Sequence, residues 1–458
     1  MRVSKLEKSI GIEVYATSSP GIGGVIRQSC EDFIVEELLV NGSKAEVSTP
    51  HIPPPTYEQP LTSRHLLCVL VKRNWDTFQA IEAIAEQLGI NPQKIHIAGI
   101  KDAKAVTAQH ITIRDIKPEE VKNVRVKDIK IVPIGYFKTK LSPYYLLGNS
   151  FKIMVRAISH TKATIQQRIE RVVKEIEALG GMPNFFGHQR FGTIRPITHL
   201  VGKAIIKGDF RRAAMLFLAK SYPFEHPESR TAREELHRTQ DFRKALKIFP
   251  KHLYYERLML RHLAKKPDDF KGAFKRLPIK LRILFPQAYQ AYLFNKFLSR
   301  RIASGLPLNA AEAGDYIVKI EATGLPSERL REIASREKLT EINSAIASGK
   351  MRLALPLAGF RQRLSEGFQG EIEKQILEEE DITFENFKVK GMPELSLKGG
   401  LRTALTALKD FRMEEISKDP FSPGKNMVKI SFTLHRGSYA TIFLRELMKP
   451  RNPIKAGF

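Results

Sequence analysis

In Ile95-His-Ile-Ala-Gly-Ile-Lys-Asp-Ala-Lys104 an apolar alternation runs out into two charges, Lys101 and Asp102. Alternation at period two is the mark of a half-buried strand, so a sheet-containing fold is the first expectation. A carboxylate where such a strand ends is held by the sheet and still reachable, the usual setting of an active-site group. The same position suits an aspartate that caps a turn or a helix, and on composition alone that is the more economical role.

Working outward, the neighbouring segments mix helix and strand. Upstream, Asp76 can cap a helix in which Phe78, Ile81, Ile84, Ala85 and Leu88 share one face, with Gly89 as its stop. Downstream, His110–Arg114, Ile129–Phe137 and Ser150–Arg156 read as strands. Ile165, Ile169, Val172, Ile176 and Leu179 have helical spacing, and Gly180-Gly181 ends that helix. Gly21-Ile-Gly-Gly24 precedes an extended Val25–Arg27 and reads as a hairpin turn. Residues 197–300 are largely helical, and 300–400 are mixed with Pro/Gly punctuation. The chain ends on a strand, Val428–Leu434, a turn, Arg436-Gly-Ser438, and a helix, Ala440–Met448. A helical block entered from and left for strands predicts an α/β (α+β) domain carrying an insertion.

Charge narrows the partner. Lysine and arginine total 75 against 49 acids, a net charge of +26. Such an excess repels itself in a folded chain and points to a polyanion. Residues 201–300 alone hold 23 Lys/Arg against 9 Asp/Glu, whereas Glu366–Asp381 is locally acidic. Nucleic acid fits this better than a membrane surface, because no basic amphipathic helix with an aromatic face is present. No apolar run approaches the ~18–20 residues that span a bilayer, and the charged N-terminus lacks a secretory core. A cytoplasmic protein is expected. The two cysteines, Cys30 and Cys68, make neither a disulfide framework nor a zinc site.

Several chemistries have no motif to carry them. There is no GxxxxGK[ST] loop, no HExxH and no paired CxxC. The Gly21–Gly24 run does not open a helix, so it is not a dinucleotide fingerprint. No metal and no nucleotide cofactor is the economical expectation. The loop Pro183-Asn-Phe-Phe-Gly-His-Gln-Arg-Phe-Gly192 interleaves aromatics with amides and a guanidinium, a set suited to an unstacked base. An aromatic mini-core beneath the loop accounts for it equally well.

Five ordered segments together resemble the TruD family of pseudouridine synthases. They are Arg27 with Glu31-Asp-Phe33, Ala98–Asp102 with Ala105–Gln109, Leu147-Gly-Asn149 with Phe151, Pro183–Gly192, and Gly437–Thr441 with Leu444–Leu447. The resemblance overturns the capping preference for Asp102 and implies that it is the catalytic carboxylate, paired with Arg27. It implies substrate contacts at Phe33, Asn184 and Tyr439, with Phe186 stacking on the target base. Some relatives carry lysine where Arg27 stands and phenylalanine where Tyr439 stands. Lys101, Lys104, Gln189, Arg190, Arg211 and Arg212 are candidate RNA contacts.

The family fold implied is a catalytic domain on a mixed, mainly antiparallel sheet, interrupted by a TRUD domain. The expected division is 1–206, 207–404 and 405–458. The expected reaction isomerises uridine to pseudouridine in tRNA, at position 13 of the D arm, without metal or cofactor and in a monomer. An ionised carboxylate suffices for it, by attack on C1′ or by removal of the C2′ proton. A non-catalytic RNA-binding protein is the first rival, and a tRNA methyltransferase, which would need a glycine-rich methyl-donor loop, the second.

Overall fold

In the computed structural model, which describes residues 2–48 and 64–458, six strands form before residue 160: β1 (Phe33–Leu39), β2 (His65–Arg73), β3 (Ile95–Ile97), β4 (Val106–Arg114), β5 (Ile129–Phe137) and β6 (Leu146–Ile158). A short β7 (Met182–Pro183) follows. The middle of the chain contributes β8 (Tyr316–Ile320), β9 (Pro326–Ile333), β10 (Met351–Leu357) and β11 (Gly400–Thr403). The last strands are β12 (Leu405–Thr406), β13 (Lys409–Lys418) and β14 (Asn426–His435).

The principal sheet has eight strands, in the order β13-β14-β6-β1-β4-β2-β5 with β3 also on β4. Only β1 and β4 run parallel within it; the remaining pairs are antiparallel. Strands from both ends of the sequence therefore share one sheet. A second, antiparallel sheet, β11-β10-β8-β9, belongs wholly to the middle of the chain.

Two helices pin the sheet as their periodicity requires. Thr77–Gln87 is capped by Asp76, which accepts from the Phe78 and Gln79 amides, and it buries Ile81, Ile84 and Ala85 against Leu66, Leu70, Ile111 and Ile113. Lys162–Ala178 buries Ile165, Ile169, Val172 and Ile176, and Gly180 and Gly181 end it at φ +77° and +144°. From there one continuous core runs through β1, β6 and β14 into the helical block, where Ile279–Ala303 is the longest helix.

The expected strand from Ile95 stops at Ile97 rather than Ile100. β3 pairs with β4 only over Ile111–Ile113, and β1 takes the same edge at Val106–Ala108. The intervening residues have no free edge to join and become a loop. Gly21–Gly24 is not a hairpin turn. The Ile22 and Gly23 amides donate to the Leu447 and Met448 carbonyls at 3.0 and 3.1 Å, and a Cβ on Gly21 would lie 2.4 Å from the Met448 oxygen. Close backbone approach to the last helix is what requires glycine there. Among the described residues no helix is long and apolar enough to cross a membrane.

Candidate active site

The loop between β3 and β4 carries Asp102 along the edge where β1 begins. Arg27 meets it: Nη2 donates to Oδ1 at 2.9 Å. The carboxylate is about one-third exposed (34%) and the guanidinium 12%, so the acid faces a cleft while its partner lies behind it. Arg27 adopts φ +59°, a region uncommon for residues other than glycine and enriched at functional sites. The neighbouring backbone enforces it. Val25 bridges Arg156, the Ile26 amide donates to the Ala456 carbonyl, and the guanidinium lies 4.0 Å over the Phe33 ring. Burial pulls the Arg27 pKa down and Asp102 opposes the shift; an arginine stays charged under both influences.

The cleft occupies about 520 Å³. Arg27, Phe33, Lys101, Asp102, Gln189 and Tyr439 line it, so six of the expected residues converge on one space. They come from β1, three loops and the start of the helix Ala440–Met448. Gln189 Oε1 accepts from Thr441 Oγ1 at 3.2 Å, tying the 183–192 loop to that helix.

Not every expected residue presents its functional group to the cleft. Lys101 lines the cleft with its stem, but its ammonium turns inward to Glu37 at 2.6 Å and the side chain is 3% exposed. An RNA phosphate cannot reach that charge. Asn184 is buried, donating to Thr403 and accepting from Arg402 at 2.6 Å, and it is not part of the cleft wall. Phe186 lies beneath Tyr439, ring centroids 6.1 Å apart, with the Arg402 guanidinium 4.0 Å over its ring. A base cannot use a face already covered. Phe185 and Phe191 are fully buried, so the loop packs as the aromatic mini-core. Arg190 bonds Gln287 at 3.3 Å. Lys104, Arg211 and Arg212 are exposed, the two arginines on the helix Phe210–Ala219 outside the cleft lining.

Four residues were not singled out by the sequence. Asn149 and Phe151 on β6 line the cleft, and Asn149 Oδ1 is buried without a hydrogen-bond partner among the described residues. An orphaned amide oxygen in a cleft is a ready acceptor for a ligand N–H. The signal was present in Leu147-Gly-Asn149 and Phe151, but without a face assigned to β6 it had no role. Arg436 lines the same cleft. Lys72 lies under the loop, fully buried, and Nζ donates to the carbonyls of Asp102 at 2.8 Å and Trp75 at 2.7 Å. Burial, opposed by Asp102 and Asp76, brings its pKa down to about 8.

The site thus offers a carboxylate paired with Arg27 on a loop whose backbone Lys72 holds, a ring at Tyr439, apolar walls from Phe33 and Phe151, and an amide oxygen without a partner among the described residues. No group of His, Cys, Asp and Glu suited to a metal ion is present among the described residues.

Comparison with known proteins gives the same direction throughout. A family model described as tRNA pseudouridine synthase D (TruD) matches residues 9–447. A probable tRNA pseudouridine synthase D of Methanosarcina barkeri is 38% identical over 449 residues, 98% of each chain. That of Methanopyrus kandleri is 41% identical over 385 residues, 84% of this chain and 85% of its own. The crystal structure given as tRNA pseudouridine synthase D (TruD) from Methanosarcina mazei superposes with a TM-score of 0.83 at 37% identity. It covers 99% of this chain and 100% of its own.

Proposed function

The chain belongs to the TruD family of tRNA pseudouridine synthases, and from that premise we propose that Asp102 is the carboxylate that acts on the target nucleotide. The reaction is the isomerisation of uridine to pseudouridine in tRNA. The N1–C1′ bond breaks, the uracil turns, C5 bonds C1′, the C5 proton is released to solvent and N1 takes a proton up, so the formula is unchanged. No electrons are exchanged and no group is donated. Asp102 begins the sequence by attacking C1′ or by taking the C2′ proton, and both routes need it ionised. The 2.9 Å contact with Arg27 supports this most directly, because a charge-assisted hydrogen bond holds the carboxylate in place beside a permanently charged guanidinium.

A uridine inside folded RNA must be extruded, at a cost of roughly a few kcal/mol. Stacking on an aromatic ring returns about 1–3 kcal/mol. We assign that ring to Tyr439, in place of Phe186, and the reading of the uracil edge to Asn149, whose Oδ1 can accept the N3–H. The target at position 13 of the D arm is part of the same proposal.

For the domain division we propose that the chain leaves the catalytic part near β7 and returns at β12. These two strands pair, Leu405 with Pro183 and Thr406 with Met182, so the ends of the insertion lie side by side. The helix Thr198–Ile206 then falls on the inserted side, in keeping with its packing against Ile279–Ala303.

The test is tritium release from tRNA labelled at uracil C5. Wild type releases the label, and Asp102→Asn loses at least about 1,000-fold in rate, the scale set by removal of a catalytic group. Release by the variant at the wild-type rate would show that another group does the chemistry.

A further inference from the structure

Beside the catalytic cleft lies a second hollow of about 450 Å³, a volume within the range of small-ligand sites. The four-stranded sheet builds it. Val318 of β8 and Leu401 of β11 give it an apolar floor, Ser327 and Arg331 of β9 stand at the edge, and among the described residues no acidic side chain lines it. Arg436 closes the side towards the catalytic sheet and lines both hollows.

Arg436 is held unusually firmly for a cation on a turn. Its Nη1 donates to the carbonyls of Pro143, Tyr144 and Leu146 at 2.8, 3.1 and 3.3 Å. One nitrogen fixed in this way sets the plane of the whole guanidinium. Neither Arg436 nor Arg331 has a carboxylate partner among the described residues. A rigid guanidinium fork without a counter-ion, between two base-sized spaces, matches a phosphodiester better than any neutral group.

We propose that this hollow is a second nucleotide subsite. Arg436 binds the phosphate that links the target uridine to one neighbour, and that neighbour's base enters over Val318 and Leu401. The inference rests on the cleft being the uridine site. Extruding a uridine deprives the adjoining base of a stacking partner, and an apolar floor next door recovers part of that loss. The hollow then sets a preference for the flanking nucleotide that Asp102 and its partners cannot set.

The experiment uses the full chain and tRNA carrying one abasic residue, either 5′ or 3′ of the target, with C5-tritium release as readout. For the wild type, an abasic residue on one side only should raise KM roughly 10- to 100-fold, the value of one stacked base, with kcat little changed. Ser327→Trp, which fills the hollow from the edge strand, should raise KM on intact tRNA by a similar factor. Combining it with the abasic RNA should add no further penalty. Arg331→Gln is the milder companion, should the tryptophan not be accommodated, and it should raise KM severalfold.

Wild-type KM in both variants, or penalties that multiply in the combination, would overturn the subsite. Conversion of intact tRNA by the wild type is the separate control. Its failure would strike the uridine reading itself, whereas its success beside multiplying penalties would strike the subsite alone.

Discussion

Asp102 is served by two cations that do different work. Arg27 meets its carboxylate at 2.9 Å, so Arg27→Met should lower kcat by roughly 100-fold or more, the range seen when one preorganised charge is removed. Arg27→Lys should recover part of that loss. Lys72 instead holds the Asp102 carbonyl from below, and with a pKa of about 8 it titrates where Arg27 does not. The charges facing it are Asp102, Asp76 and Lys101. Deprotonation weakens the charge-assisted bonds that fix the loop, so activity should fall severalfold through about pH 8. Stability should move the other way. Between about pH 8 and the ordinary value of 10.5 the unfolded chain binds the proton that the native chain has released, so this group's contribution to stability rises with pH. A pH profile of kcat beside thermal melts at the same pH values checks both signs. Lys72→Arg, which does not titrate, should flatten the alkaline limb, and an unchanged limb in that variant would remove Lys72 from the explanation.

At the scale of elements, legibility followed periodicity. Thr77–Gln87 and Lys162–Ala178 stand where their apolar spacing placed them, and Ala440–Met448 stands where a helix was expected after the Arg436-Gly-Ser438 turn. β13 could not be read, because Lys409–Lys418 is a mostly exposed edge strand whose alternation, begun at Phe411 and Met413, is broken by a register shift before Ile416. The site was half legible for a related reason. Asp102, Arg27, Phe33, Gln189 and Tyr439 meet in the cleft, but residue types alone do not say which way a loop faces. In Pro183–Gly192 the amides and rings suited to a base were also suited to a core, and packing chose the core. One close contact between elements could not be foreseen at all. A Cβ on Gly202 of the helix Thr198–Ile206 would lie 2.0 Å from the Phe285 carbonyl oxygen. Gly202→Ala must push two helices apart, and overpacking of this kind costs about 1–3 kcal/mol. A denaturant melt should show that loss, and a melt at the wild-type midpoint would mean the helix pair yields freely.

For the whole molecule, the net charge of +26 is not all available to RNA. Part of the basic block is neutralised by the acidic stretch near residue 380. Lys203 and Lys296 meet Glu380 at 2.6 and 3.2 Å, Lys207 meets Asp381 at 2.6 Å, and Arg300 meets Glu379 at 3.1 Å. Arg211, Arg212, Lys265 and Lys266 are exposed and have no ion pair among the described residues. Only unpaired cations release counterions when a phosphate arrives, and each such contact contributes roughly 0.7–0.9 to the slope of log affinity against log salt. Replacing these four by glutamine should therefore flatten that slope by roughly 3 to 3.5 if every one meets a phosphate, and weaken tRNA binding most at low salt. Replacing Lys203 and Lys207 removes the same kind of charge from the sequence but should leave the slope unchanged. Binding isotherms over a salt series separate the two sets. Equal slopes in the fourfold variant and the wild type would mean that this face of the helical block points away from the RNA.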